Sequence, residues 1–328
     1  MKNIILKLTA LILVAMLVVP TFSSCGNNGP EIIIYTSSED FRIEYVEKKM
    51  KEQFPEYEII IEYMSTSNIA AKIKTEGANS ACDIIWSLEY GYLDMLAEDD
   101  LLTLTDDTDK SIYAEDTLSD KWTVDIRNGG AIIINSKVLA DRGLAEPQSY
   151  EDLLKPEYKG LISMPSPKSS GTGYMFLKSL VNTMGEDEAF EYFDKLSENI
   201  LQFTTSGSGP VNALMQNEVA IGLGITAQAV TKINEGADLK VKFFEEGSPF
   251  ALYGNSIVNK GEIAPEVKEV FNYLSTVCVE EINELYFPEN IIKGKYPVVE
   301  NFPTDIKYSD MSGDTMAEKK RLLEKWKY

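Results

Sequence analysis

EIIIYTSSEDFRIEYVEKKMKEQFPEYEIIIEY, residues 31–63, is the stretch that decides the fold class. The apolar, isoleucine-rich run at 31–35 has the length and composition of a buried strand. It ends in Thr36-Ser37-Ser38, after which Phe41, Tyr45, Val46, Met50 and Phe54 recur at helical spacing until Pro55 stops the helix. A second strand follows at 59–63. The alternation continues with a helix over 69–76, a strand over 83–87 and a helix over 90–97. A βαβαβα order predicts a parallel sheet covered by helices.

The pattern then repeats. Strands are predicted in 127–135, 160–164, 201–204, 219–225, 239–244 and 254–258. Helices are predicted near 150–154, from 172 to 184, and over 186–199, 211–216, 227–235, 265–277 and 315–327. Two such units imply an α/β chain of two Rossmann-like lobes, with the strands near 131–135 and 251–258 bracketing the second. Lobe one would be 31–128 plus 252–328, and lobe two 129–251. Two chain crossings would join them as a hinge, with a ligand cleft between.

The start of the chain reads as an address. Lys2 and Lys7 precede an apolar run over 8–19, too short to span a bilayer and suited to a signal-peptide core. Ser23-Ser24-Cys25 resembles a lipobox, so residues 1–24 are expected to be removed and Cys25 acylated, with 25–30 as a tether. An ordinary signal peptide cleaved near Ser24 is the other reading. The protein would then sit outside the cytoplasm on a lipid anchor, at the cell surface or in the periplasm. Cys82 and Cys278 lie too far apart for a disulfide framework and are expected to be buried free thiols.

Composition excludes whole classes of function. With 52 acidic against 31 basic residues, a formal charge of −21 argues against nucleic acid, whose phosphates require clustered Lys and Arg. The chain has no histidine, which removes Ser–His–Asp and Cys–His hydrolase chemistry and every imidazole zinc site. The acidic pairs lack calcium-loop spacing, so no metal and no cofactor are expected.

Several strand-to-helix junctions are rich in Ser, Thr, Asn and Gly: Ser37 and Ser38, 65–68 with Ser67, 169–173, and Ser206-Gly207-Ser208. In a parallel sheet these junctions lie at the carboxyl ends of strands, where α/β folds bind ligands. Backbone N–H groups, hydroxyls and helix dipoles there can hold an anion without Arg or Lys. Ser, Thr and Asn are also good N-caps, each worth about 1 kcal/mol, and capping alone is the competing explanation. Gly171 and Gly173 around Thr172 exceed what capping needs, because interior Gly costs about 1 kcal/mol in a helix. Ser169, Ser170, Gly171 and Thr172 are therefore the strongest candidates. Glu89, at the end of the third strand, and Thr226, after the strand over 219–225, complete the candidate set.

With these residues in view, the chain resembles an ABC-transporter solute-binding lipoprotein of the type II periplasmic-binding-protein fold, in the ferric-iron, phosphonate and sugar-phosphate branch. The resemblance rests on 32–38, Asp83-Ile84-Ile85-Trp86, 131–137, 166–174, 209–224 with Asn217-Glu218-Val219-Ala220, and Gly247-Ser248-Pro249. It implies a small anionic solute as cargo, an ABC permease with its ATPase as partner, and a monomer. In iron-binding members a Ser-Gly loop holds an anion beside a metal bound by two adjacent tyrosines. Ser170, Gly171 and Thr172 match that loop, but Ala227-Gln228 stand where the tyrosines would be. A phosphorylated or phosphonate-like solute is therefore expected, with ferric iron as the alternative. A secreted hydrolase is the competing class, and no Ser-x-x-Lys or Gly-x-Ser-x-Gly stretch supports it.

Overall fold

The computed structural model describes residues 29–328 except 115, 116, 118, 290 and 296, so Cys25 and the segment before it lie outside the described residues. In chain order come β1 (Glu31–Thr36), α1 (Asp40–Gln53), β2 (Glu58–Tyr63), α2 (Thr66–Glu76), β3 (Ile84–Glu89), α3 (Tyr90–Glu98), β4 (Leu102–Thr103), β5 (Thr123–Ile134) and α4 (Ser136–Asp141). They are followed by β6 (Ile162–Pro165), α5 (Gly171–Met184), α6 (Glu186–Leu196), β7 (Ile200–Thr204), α7 (Gly209–Met215), β8 (Ile221–Ile225), α8 (Thr226–Asn234) and β9 (Lys240–Lys242). The chain ends with β10 (Phe250–Val258), α9 (Pro265–Tyr273), α10 (Val279–Tyr286) and α11 (Met316–Lys325).

The strands run β2-β1-β3-β10-β5-β8-β6-β7, with β4 beside β10 and β9 beside β5. β1, β2 and β3 pair in parallel, as do β6, β7 and β8, which puts their following helices on the sheet faces. β5 is the seam. Up to Gly129 it pairs antiparallel with β10, and from Gly130 onward with β8 and β9. The strand groups on either side of that seam are the two lobes of an α/β fold. Ile34, Val46, Trp86 and Phe271 belong to the core of the first; Tyr174, Phe193, Leu223 and Trp326 belong to that of the second.

Three segments, not two, run between the lobes. Gly130 N–H donates to the Pro249 carbonyl at 2.7 Å, and the Ser248 hydroxyl donates to the Gly130 carbonyl at 2.7 Å, pinning β5 to the lead-in of β10. The tail runs alongside: Ser248 N–H donates to Lys307 and Ser309 N–H donates to Ser248, each at 2.8 Å. Beyond this point Leu322 and Trp326 pack in the second core, with Trp326 edge-on to Phe193 and Phe203. The expected assignment of all of 252–328 to lobe one therefore does not hold for the tail, whose aromatic end finds its apolar partners in the second lobe.

Other departures have local causes. β5 begins at Thr123 rather than near 127, because a strand crossing between two cores buries Asp125 and Asn128 where the sequence shows polar interruptions. Residues 151–154 form a 3₁₀ turn, while α4 starts where the Asn135 side chain accepts from Val138 N–H at 3.1 Å. The helix expected over 265–277 continues to Tyr286 through a π turn at Leu274–Cys278. There the Tyr113 hydroxyl donates to the Ser275 carbonyl, a side chain inserted into the helix ladder. Cys82 and Cys278 are buried and unpaired, and burial pushes the Cys278 thiol up to about 12. Among the described residues no helix is long and apolar enough to cross a membrane.

Candidate functional site

A cavity opens between the lobes. The second lobe lines it with residues 169–172 and 205–208, two loops made of small hydroxyl and glycine residues. The first precedes α5, where the Ser170 hydroxyl faces the Gly173 N–H at 3.5 Å. The second follows β7, where the Ser206 and Ser208 hydroxyls lie 3.0 Å apart. The loops touch each other: a Cβ on Gly207 would sit 2.3 Å from the Thr172 hydroxyl oxygen. Only glycine permits that approach.

The first lobe lines the cavity with Ser37, Ser38, Glu39 and Arg42 around the start of α1, Tyr63, Ser65 and Thr66 before and within α2, and Ser87, Asn128 and Tyr253 from the strands. Arg42 is almost wholly buried. It donates to Asp125, to the Ser87 hydroxyl at 3.0 Å and to Glu39 at 3.4 Å, and lies over the rings of Trp86 and Phe287. Asp125 also accepts from the Trp86 indole at 3.3 Å. Glu39 is the outermost member of this cluster, and burial pushes its carboxyl above the usual range, opposed by the Arg42 charge. Ser38 Oγ, Ser65 Oγ and Asn128 Oδ1, all on this wall, have no hydrogen-bond partner among the described residues.

The two walls meet. Thr66 Oγ donates to the Ser169 carbonyl at 3.3 Å and accepts from Gly171 N–H at 3.1 Å. Ser67 Oγ donates to the same carbonyl at 3.4 Å. A Cβ on Gly171 would stand 2.6 Å from the Tyr253 hydroxyl oxygen and 3.4 Å from the Glu89 side chain. Glycine at 171 thus permits contact between lobes, where the sequence suggested only room for a ligand. Burial raises the pKa of both Tyr253 and Tyr63, with hydrogen bonding from Thr172 and Ser206 respectively offsetting part of the rise.

Of the residues singled out from sequence, Ser37, Ser38, Ser169, Ser170, Gly171, Thr172, Ser206, Gly207 and Ser208 line this one cavity. Ser67 lies beside it. Thr226 is buried at the start of α8 without lining the cavity. Glu89 is placed elsewhere: it accepts from Gly91 N–H at 3.1 Å as the cap of α3 and pairs with Lys319 of α11. Glu89 and Lys319 are each 1% exposed, and Lys319 lies 4.3 and 4.4 Å from the ring centres of Tyr92 and Tyr174. Asp314 joins the lobes next to this pair, accepting from Tyr90 at 2.7 Å and Tyr174 at 2.8 Å.

Sequence reasoning held Ser65 and Thr66 only as part of the 65–68 junction, and passed over Glu39, Arg42, Tyr63, Ser87, Asn128 and Tyr253. An Arg three residues after a Glu reads as a solvated helix face, and the expected site needed no Arg or Lys. The structure instead puts Arg42 in the wall. The usable signal was position, since Glu39 directly follows a junction already singled out and Thr66 lies within another.

Comparison with known proteins agrees with this fold. A family model described as bacterial extracellular solute-binding protein matches residues 79–316. The periplasmic binding protein P5PA matches with a TM-score of 0.78 and 25% identity, over 90% of this chain and 98% of its own. The periplasmic binding protein AfuA from Actinobacillus pleuropneumoniae, solved with fructose-6-phosphate, matches with a TM-score of 0.79 and 22% identity, over 91% and 98%. The phosphoglycerate transport regulatory protein PgtC of Salmonella typhimurium is 22% identical over 52% of this chain and 41% of its own. The chain spans about two fifths of the length of the curated relatives it matches.

Proposed function

Because the chain belongs to the bacterial extracellular solute-binding proteins, we propose that it captures a small anionic solute carrying a phosphoryl or phosphonyl group between its lobes and delivers it to an ABC permease. The observation that carries this reading is the wall formed by 169–172 and 205–208: hydroxyls and backbone at the start of the 14-residue α5, with no acidic side chain among them. Such a surface suits an oxyanion, because aligned helix N–H groups favour negative charge locally even in an acidic protein. The fructose-6-phosphate bound by AfuA and the phosphoglycerate in the name of PgtC support a phosphorylated cargo. Ferric iron fits less well, since a hard trivalent ion wants phenolates while burial holds the Tyr63 and Tyr253 phenols toward the protonated form.

Binding would favour the closed arrangement through contacts made to both walls at once, with Thr66 against Ser169 and Gly171 as the latch. Cys25 would carry the lipid that keeps the receptor beside its permease, and Cys25→Ser should release it from the membrane fraction. Native mass spectrometry of freshly purified protein tests the cargo: a retained mass that phosphatase or phosphonatase treatment destroys is expected. A retained iron atom with a visible tyrosinate band would overturn the reading.

A further inference from the structure

We infer that Ser87 is a positioning residue of the cavity: held in a left-handed conformation by Asn255, it aligns Arg42 and Ser37 in the first-lobe wall. This deepens the function proposed above, and only its consequence for solute affinity rests on that reading.

The starting point is a backbone outlier. Among the described residues, five other than glycine have a positive φ. Four are Asp100, Asn217, Asn301 and Asp305, the types whose short polar side chains tolerate that conformation. The fifth is Ser87, at +58°, inside the buried strand β3. A bulge puts it there: Leu88 pairs with Gly254 and Ile85 with Ser256, so Trp86 and Ser87 together oppose the single residue Asn255. Glycine is the usual occupant of a left-handed bulge position. Serine there is strained, and such strain persists where the surroundings make use of it.

The bonds of Ser87 show the use. Its Oγ accepts from a terminal nitrogen of Arg42 at 3.0 Å, closer than the 3.4 Å contact of that nitrogen with Glu39, and Asp125 takes the other terminal nitrogen. Its carbonyl accepts from the Ser37 hydroxyl at 2.6 Å. One residue thus ties α1 to the junction after β1. With both terminal nitrogens held, Nε is the guanidinium nitrogen of Arg42 without a partner among the described residues, on a side chain that lines the cavity. A cation fixed in this way suits an anionic acceptor.

Asn255 supplies the lock. Its Oδ1 accepts from Ser87 N–H at 2.9 Å, while its Nδ2 has no partner among the described residues. The residue is fully buried, where an unmade hydrogen bond is destabilising. An amide kept there with its donor unmet is kept for its acceptor. The strain at Ser87 and the unmet donor beside it share one explanation: together they hold Ser87 where Arg42 and Ser37 need it.

Nuclear magnetic resonance of the full chain with isotope-labelled arginine tests the alignment without any solute. The chain has four arginines, so replacing Arg127, Arg142 and Arg321 in turn with Lys assigns the signals of Arg42. The wild type should show distinct, slowly exchanging signals from its two terminal nitrogens. Asn255→Ala should merge them, although Asn255 is not a hydrogen-bond partner of Arg42, and Ser87→Ala should do the same. Wild-type signals in either folded variant would overturn the inference. Calorimetric titration with inorganic phosphate gives the second arm. Ser87→Ala and Ser87→Gly should both bind about tenfold more weakly, as for the loss of one hydrogen bond to a charged group, even though the glycine variant, free of strain, melts above the alanine one. A residue that merely stabilised the strand would let affinity follow melting, and a glycine variant that bound phosphate like the wild type would overturn the positioning role. If the wild type bound no phosphate, the phosphoryl reading would fall by itself and the Arg42 signals would decide the alignment.

Discussion

Two buried ion clusters stand at equivalent places in the first lobe, each built on a glutamate at the end of a parallel strand. Glu39 follows β1 and Glu89 ends β3. Glu89 caps its helix, pairs one-to-one with Lys319 and is roofed by Tyr92 and Tyr174. Glu39 caps nothing, shares one arginine with Asp125 and faces the cavity. The same local motif is a staple in one case and part of a cavity wall in the other. What differs is the cover: Glu89 is sealed by a tail helix 230 positions away in sequence, whereas Glu39 lines the cavity. A carboxylate at a strand end thus acquires its role from a distant part of the chain.

The largest expected effect comes from breaking the sealed cluster. Lys319→Ala strands Glu89 without a counter-charge in a site whose burial already pushes its carboxyl up. Removing one partner of a buried pair costs about 3–5 kcal/mol, so thermal melting should fall by roughly ten degrees. Adding Glu89→Gln should recover most of the loss, because the remaining group no longer needs a charge partner. If the single variant melts like the wild type, Lys319 does not neutralise Glu89 and the staple reading fails. Intrinsic affinity for the solute should change less than stability, since neither residue lines the cavity.

The next effect sharpens the contrast between the walls. Gly171→Ala places a methyl 2.6 Å from the Tyr253 hydroxyl oxygen and should prop the lobes apart, an overpacking cost of about 1–3 kcal/mol paid on closure rather than on folding. Solute affinity should drop about tenfold or more, and Tyr253→Phe in the same chain should restore part of it by removing that oxygen. Thr172→Ala should cost close to tenfold with little change in melting, as expected for one hydrogen bond to a charged group. Titration calorimetry of the three variants decides both points. Failure of Tyr253→Phe to rescue Gly171→Ala would show that the glycine serves the ligand and not the closure.

Most of the fold was legible because its cues are local. The 31–63 stretch carries strand and helix periodicities in apolar residues alone, and the hydroxyl-rich junctions follow from strand order. What escaped depends on long-range burial. Asp125, Arg127 and Asn128 interrupt the apolar pattern of β5, yet the strand continues through them because it passes between two cores. Trp326 gives no sign in sequence that Phe193 and Phe203, more than a hundred positions earlier, will receive it. Glu89 was singled out and Glu39 was not, since the strand end is visible in sequence and the covering helix is not.

The smallest expected effect tests whether the tail is held by charge as well as by Trp326. Glu186, at the first position of α6, pairs with Arg321 and Lys325 of α11, and these partners pull its carboxyl down to about 2. A carboxylate depressed in the folded state contributes stability above its unfolded value near 4.5 and loses it as pH falls toward 2. The side chains are partly exposed, so solvent screening limits the contribution to about 1 kcal/mol or less. Glu186→Gln should therefore melt one or two degrees below wild type at pH 6, and the gap should close as pH is lowered from 4.5 toward 2. Raising the salt at pH 6 should narrow the same gap. A difference that persisted undiminished at pH 2 would mean that Glu186 stabilises the tail through packing rather than through its pairing with Arg321 and Lys325.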